Sequence, residues 1–553
     1  MNTELSKRIK EIALELVSQQ SIVETADEVP MSDKVFEIMA RMDYYKKHPE
    51  KLYTIPVKND PWNRKVVIAI MNGEKAPCDD TVVFIGHTDT VGISDYGKLS
   101  HLATKPDELL EELKKVSSLT DEVKEDIASG KYIFGRGIFD MKSGDANVMA
   151  IMEYVSKDIE NFEGNIIFAA VCDEEGNSKG MLAFVPELIR LKREFGYNYL
   201  AMLDPDYIAP AYPGDPNVYQ YIGTVGKLMP TFFVVGKESH VGESFSGLDP
   251  NQIAAEITRR VNLNTEFSDV VAGEVTLPPI TLKQRDLKPE YSVQIASKAI
   301  LFFNYATHCS TPAQVMEKMM KAGAECFQNV IDTLNERYEK FCGLVGRDFV
   351  KLPWVERTMS YDQLYDAVKA EVGAELDEMV KAYAEEVSKD PRYDVRDQAM
   401  KVVEYVHSLW SDKNPVLIVY LTPPYYPHIY VEGSRPEEKL LLDAVNHAVS
   451  TTESEYSLVQ KLFLPCISDL SYAAAPKEAE AIEALKTNMP GFGIIYDLPL
   501  DEMQELDLPV ADIGSYGKDA HQFTERVEMG YTYEVLPEIL YKTMMYIFEN
   551  YKK

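Results

Sequence analysis

The chain has 553 residues, is 45% hydrophobic and 26% charged, and carries a formal charge of −32. That length exceeds one ordinary domain and is enough for two or more sizeable cores. The acidity repels phosphate backbones and argues against nucleic-acid partners. No unbroken apolar run reaches the ~18 residues that a membrane span needs.

The opening MNTELSKRIKEIALELVSQQ is amphipathic and contains acidic residues, unlike a secretory signal. Residues 4–18 read as a helix, with Leu5, Ile9, Ile12, Leu14 and Leu16 towards one side. A second helix is expected over about 32–47. Short apolar runs follow: VVIAIM (66–71), TVVFIG (81–86), NIIFAAV (165–171) and YLAML (199–203). Bounded by polar or glycine turns, they read as buried strands. Helical stretches at 141–157 and 180–195 lie between them. This alternation predicts an α/β domain with a mainly parallel sheet covered on both faces.

The middle of the chain changes character. Strands are expected at 225–237, 275–284, 291–305 and 415–421, with helices at 251–261 and about 312–341. They describe a smaller α+β layer. The charged, helical 361–411 reads as an insertion into it. From about 436 the alternation resumes, with strands expected at KLFLPC and GFGIIY, a strand leading into a loop at PVADIGSYGKDAHQF, and a last helix at 533–550. The expected organisation is a catalytic domain (1–215 and 433–553) interrupted by a lid (216–432) whose helical insertion covers about 345–411. The six cysteines are scattered without a CxxC pair, which suits a reducing cytoplasm.

Four clusters of metal-ligand chemistry follow expected strands: His87-Thr88-Asp89, Asp140-Met141-Lys142, Asp173-Glu174-Glu175-Gly176 and Asp204-Pro205-Asp206. One such residue would read as a cap or turn. Several converge, because the carboxyl ends of parallel strands lie along one sheet edge.

The order HTD, GIFDMK, DEEG, LDP, SHVG and DAHQFTERV resembles the M20 family of metallopeptidases and amidohydrolases over nearly the whole chain apart from the helical insertion. Within it the long RocB-type branch, linked to arginine utilisation, is most similar. The resemblance implies a phosphorylase/hydrolase-like catalytic domain and two divalent metal ions, zinc first, with cobalt or manganese also suited. His87 and Asp204 would bind one ion, Glu175 and His521 the other, and Asp140 would bridge them. Asp206 is a rival to Asp204. Asp89 would fix the His87 imidazole, Glu174 would be the general base, and His240 would donate to the developing oxyanion, commonly from a partner's lid. The expected substrate is a dipeptide or N-acyl amino acid, and the expected assembly a homodimer through the lid. An arginine-derived metabolite and a non-catalytic binding protein retaining the fold are the alternatives.

One departure concerns the substrate carboxylate. The family often places a lid arginine in a short Asp-x-Arg segment, but the corresponding strand here reads AILFFNYATH, with Asn304 instead. Arg285 could replace it by bidentate pairing, or be a surface charge. Gly517 and Lys518, in GSYGKDAH, offer a second pocket for that group.

Overall fold

The computed structural model describes residues 3–551. They form two compact units, one comprising the chain up to Thr224 with Ile429–Ala475 and the chain from Pro499, the other comprising Val225–His428 and Pro476–Leu498.

The first unit is built on an eight-stranded sheet. Its order is Leu52–Pro56, Lys65–Asn72, Asn165–Val171, Asp80–His87, Asn198–Asp204, Val510–Asp512, Asn217–Ile222, Ser457–Lys461. The four strands at its middle run parallel, and Ser457–Lys461 is parallel to Asn217–Ile222. The other three pairings are antiparallel, so the sheet is mixed, where the sequence pattern led to the expectation of a mainly parallel one. Asn165–Val171 shows why the middle reads as a continuous apolar run: all seven residues are buried. A strand covered on both faces has no polar alternation to display. Helices Thr3–Val17 and Ser143–Ser156 pack together, as do Pro436–Thr451 and Leu536–Asn550.

Several expected elements fall differently. The helix expected at 32–47 breaks into Glu28–Ala40 and Asp43–Lys47. Asn217–Ile222, expected to lie in the lid, belongs to the first unit's sheet. The strand expected at KLFLPC lies earlier, at Ser457–Lys461. GFGIIY forms turns instead of a strand, in a segment belonging to the second unit. Its Gly491 and Gly493 both have positive φ, which suits a turn and not an extended strand.

The second unit holds a six-stranded sheet with Ile280–Asp286 at one edge. Two-residue periodicity divides its faces. Phe232 and Leu417 point towards Gly323 of the long helix Pro312–Val345. Phe233, Val235 and Ile418 point the other way, into a core with Leu364, Leu376, Val403 and Val406. Those last four come from helices Tyr361–Val372, Glu375–Val387 and Val395–Leu409. The helical segment that reads as an insertion is therefore the cover of one sheet face, and it adds the strand Thr358–Ser360 parallel to Val416–Leu421. Among the described residues, no helix is long and apolar enough to cross a membrane.

Candidate metal centre

Three neighbouring parallel strands deliver the chemistry to one edge of the first unit's sheet. His87 ends its strand, Glu174 and Glu175 follow Asn165–Val171, and Asp206 follows Asn198–Asp204. Asp140 sits in the turn before helix Ser143–Ser156, and His521 lies in the loop joining Ser515–Lys518 to Arg526–Glu528. Two groups of ligand atoms result, His87–Asp140–Asp206 and Asp140–Glu175–His521, the atoms of each within 4.8 Å of one another.

Asp140 belongs to both. Its Oδ1 lies 3.0 Å from His87 Nε2 and its Oδ2 2.9 Å from His521 Nε2. Glu175 Oε1 is also 2.9 Å from His521 Nε2. His87 Nδ1 faces the backbone carbonyl of Asp89 at 3.1 Å, which leaves Nε2 directed at the carboxylates. An imidazole held this way presents a lone pair to a cation. Burial pushes the His87 pKa down, but the hydrogen bond to Asp140 and the charges of Glu174 and Asp206 outweigh it and raise it well above normal. Hydrogen bonds to Asp140 and Glu175 hold His521 up at about 10. Burial, followed by neighbouring acids, lifts Asp206 to about 7 and Glu174 well above the usual carboxylate range. This excess of buried acid around two imidazoles fits divalent cations: carboxylate and imidazole are borderline-hard donors, and each set of three leaves coordination positions open.

The carboxylates are held from behind. Asp89 accepts from the backbone N–H of Glu174 at 3.2 Å and of Glu175 at 3.1 Å. Its own oxygen is 3.9 Å from His87 Nδ1. The Asp89 carboxylate thus fixes the two glutamates, while its carbonyl takes the imidazole contact that sequence reasoning gave to the carboxylate. Glu525 accepts from the N–H of Phe139 (3.3 Å) and Asp140 (3.4 Å), and is itself paired with Arg136 at 2.6 Å. Gly86 leaves room for Asp145: a Cβ there would come within 2.1 Å of Asp145 Oδ1. Burial pushes Asp145 up to about 8 and Asp469 to about 7.

The remaining expected site residues fall elsewhere. Asp204 is absent from both ligand groups; its Oδ2 accepts from Ser468 Oγ at 3.0 Å. Asp204 is the last residue of its strand and is held by Ser468, whereas Asp206, two residues past the strand end, reaches within 3.8 Å of His87 Nε2. Lys518 is committed to Glu122 (2.8 Å) and Asp126 (3.0 Å). Asp126 also accepts from Arg526, so the acidic stretch at 106–128 anchors the strands flanking His521. Gly517 is a packing position, since a Cβ would meet Arg526 O at 2.2 Å and the Phe139 ring at 2.7 Å. His240, Arg285 and Asn304 all belong to the second unit. His240 is exposed and its Nδ1 accepts from Gly242 N. Arg285 pairs with Asp397 at 2.9 Å, and Asn304 lies opposite Ile280 in the sheet.

Sequence reasoning missed Arg64, Glu28, Asp145, Asp469 and Glu525. Asp145 lies three residues past a recognised cluster, at the helix start. Arg64 and Glu28 carry no local signal.

Comparison with known proteins covers most of the chain. Residues 83–528 match Peptidase family M20/M25/M40. The chain is 31% identical over 549 residues to the protein RocB of Bacillus subtilis (strain 168), covering 99% of this chain and 96% of that one. It is 31% identical over 546 residues to YqjN of the same organism, covering 98% and 96%. A tripeptidase from Staphylococcus aureus subsp. aureus mu50 shares the fold, with a TM-score of 0.51 and 12% identity, covering 99% of each chain.

Proposed function

Since the chain belongs to Peptidase family M20/M25/M40, enzymes acting on C–N bonds, we propose that it is a dinuclear metal-dependent hydrolase. Its substrate in this reading is a small amide or peptide, a dipeptide or an N-acyl amino acid. The observation that carries the reading is the shared carboxylate of Asp140, with one oxygen turned to each of two imidazoles. Zinc suits the donor set first, with cobalt or manganese as alternatives.

Two such ions, when bound, polarise a substrate carbonyl and lower the pKa of a water towards about 7. The protein's own residues do the rest. His87 and Asp206 hold one side of Asp140, and Glu175 and His521 hold the other. Glu174 takes the proton of the attacking water and returns it to the leaving nitrogen. Its backbone amide donates to Asp89, which fixes the main chain from which this side chain extends.

His240 is assigned the oxyanion contact, delivered from a partner's second unit in a homodimer. The edge strand Ile280–Asp286 supports that assembly, since Ile280 and Leu282 are exposed there and an unpaired edge is a template for a second copy. Arg285 and Lys518 each have carboxylate partners, so binding a substrate carboxylate would require them to release those contacts.

The test is to measure bound metal, then screen dipeptides and N-acyl amino acids with wild type and Glu174→Ala. We expect two ions per chain and a loss of about 10²–10⁴-fold in the variant. Absence of metal, or a variant as fast as wild type, would sink the reading. The narrower alternative, hydrolysis of an arginine-derived metabolite, differs only in the pocket, and adding N-acyl arginines to the screen separates the two.

A further inference from the structure

Arg64 immediately precedes the strand Lys65–Asn72 and belongs to none of the sequence motifs of the metal centre. Its side chain is 0% exposed and touches three carboxylates that are also 0% exposed. Nε and Nη2 donate to Asp60 Oδ1 at 3.0 and 2.7 Å. Nη1 donates to Glu28 Oε1 at 2.8 Å and to Asp173 Oδ1 at 2.6 Å. The planar fork of a guanidinium is the one side chain that can serve three acceptors on two edges at once.

Asp173 is the residue immediately before the Glu174–Glu175 pair. It has φ +69, a left-handed conformation that a non-glycine residue keeps only where its surroundings over-determine it. Here the surroundings do. Arg64 holds the Asp173 side chain, and Glu28 Oε2 accepts from the Asp173 backbone N–H at 3.0 Å. The Asp173 carbonyl then accepts from the N–H groups of Gly176, Asn177 and Ser178, which closes the turn. The next two amides, those of Glu174 and Glu175, are held by Asp89. Three successive residues are thus fixed by buried charge, and the direction in which Glu174 and Glu175 leave the strand end follows from it.

We infer that Arg64, with Glu28, is a positioning residue for the metal-binding and proton-transfer glutamates. It touches neither reacting atoms nor ions. It acts by holding Asp173 in the left-handed turn that aims Glu174 and Glu175. A cluster of this kind could serve stability alone, since one guanidinium among three buried acids is a place where charge must be compensated. The distinguishing feature is where the cluster ends, on the side chain and the amide of the residue before the functional pair. The inference rests on the dinuclear reading above.

The experiment compares full-length wild type, Arg64→Gln, Arg64→Lys and Asp173→Asn, with Arg435→Gln as a stability control. Arg435 pairs with Glu438 and Asp507 at 2.7 Å each, in the same unit and outside the contacts described for this turn. Each protein is titrated with Co²⁺ against a competing chelator, its visible spectrum is recorded, and kcat and KM are measured on a substrate from the screen. Arg64→Gln is expected to weaken cobalt binding by about 10–100-fold, the range for residues that support metal ligands. Its ligand-field spectrum should change, and kcat should fall with KM little altered. Arg64→Lys, which keeps the charge but not the fork, should recover part of each loss, and Asp173→Asn should reproduce the pattern. Arg435→Gln should lower the melting temperature and leave spectrum, affinity and kcat unchanged. If both Arg64 variants fail to fold, Asp173→Asn decides by the same readouts. Wild-type cobalt affinity and spectrum in the Arg64 and Asp173 variants would overturn the inference, as would equal losses in Arg435→Gln. If wild type itself binds no metal, the dinuclear reading fails instead.

Discussion

In the first unit, Arg64 is fully buried against Asp60, Glu28 and Asp173, and Asp89, Asp140 and Asp206 beside His87 are buried too, whereas His521 is open to solvent. In the second, Arg285 reaches Asp397 from a side chain 45% exposed, and His240 stands on a loop whose neighbours Val241 to Ser244 are exposed. The contrast separates two ways in which a residue can be chemically capable. A buried charge has its position dictated by partners that cannot turn to water, so its geometry states a role. An exposed one contributes little through its contacts and waits for something to bind. Around His87 the geometry of the first unit is therefore fixed by buried partners, whereas His240 and Arg285 in the second unit are held by exposed contacts alone.

The largest expected effect that can break this contrast lies within the first unit, between two aspartates two residues apart. Asp206 belongs to a ligand group and Asp204 does not. If burial and geometry dictate role, Asp206→Asn should weaken metal binding by more than about 100-fold, beyond what supporting residues cost. Asp204→Asn should cost no more than about tenfold, because Asn can still accept from Ser468. Chelator competition on both variants checks this. A reversed order would return the ligand role to Asp204, as the sequence motif alone suggests.

That pair also marks how far the sequence can be read. The middle strands were legible because burial on both faces leaves an apolar run with a sharp end, and chemistry placed there is visible as letters. His87, Asp140 and Glu175 stand out as candidates in this way, whereas His521 comes only from the resemblance to the family pattern. Asp204 and Asp206 were not separable, because a strand ending at a proline does not say which side of it faces the edge. Arg64 and Glu28 were invisible for a different reason: they meet Asp173 across separations of 109 and 145 residues, and no local period or spacing encodes such a meeting. In the second unit, helices 361–409 looked like a surface addition because their charged faces dominate the composition. Their buried stripe, which covers Phe233 and Ile418, shows only against the sheet.

A smaller effect tests whether burial dictates behaviour in the second unit too. His407 is buried beside Phe233 and Trp410, and its Nε2 has no hydrogen-bond partner. Burial, reinforced by Lys298 and Lys413 against the weaker pull of Asp412 and Glu404, pushes its pKa down to about 4. The sign follows from proton counting. Between pH 6.5 and 4 the unfolded chain binds a proton at this site that the folded chain does not, so stability is intact above pH 6.5 and is lost as pH falls through that window. The full loss is about 3 kcal/mol at one unit per 1.36 kcal/mol. Calorimetric melting of wild type and His407→Phe from pH 8 to 4 should show the variant with the shallower decline. Parallel declines would mean that His407 titrates as it does in water, and that the core around it admits solvent.

The smallest expected effect is at Arg285, and it sharpens the comparison from the exposed side. Its guanidinium shares Asp397 with Lys283, whose Nζ lies 3.0 Å from the same oxygen. Removing one of two cations from a partly solvated carboxylate leaves the other in place, so Arg285→Ala should change stability by less than about 0.5 kcal/mol. If Arg285 serves only this pair, kcat/KM on any substrate from the screen should stay within about twofold of wild type. If it leaves Asp397 to grip a substrate carboxylate, the same variant should raise KM at unchanged stability, by the roughly tenfold or more that a lost charge-assisted contact of about 1.5–3 kcal/mol produces. The two outcomes divide cleanly because the folded partner and the proposed ligand are both carboxylates, and Asp397 keeps Lys283 when Arg285 departs, which makes the exchange cheap.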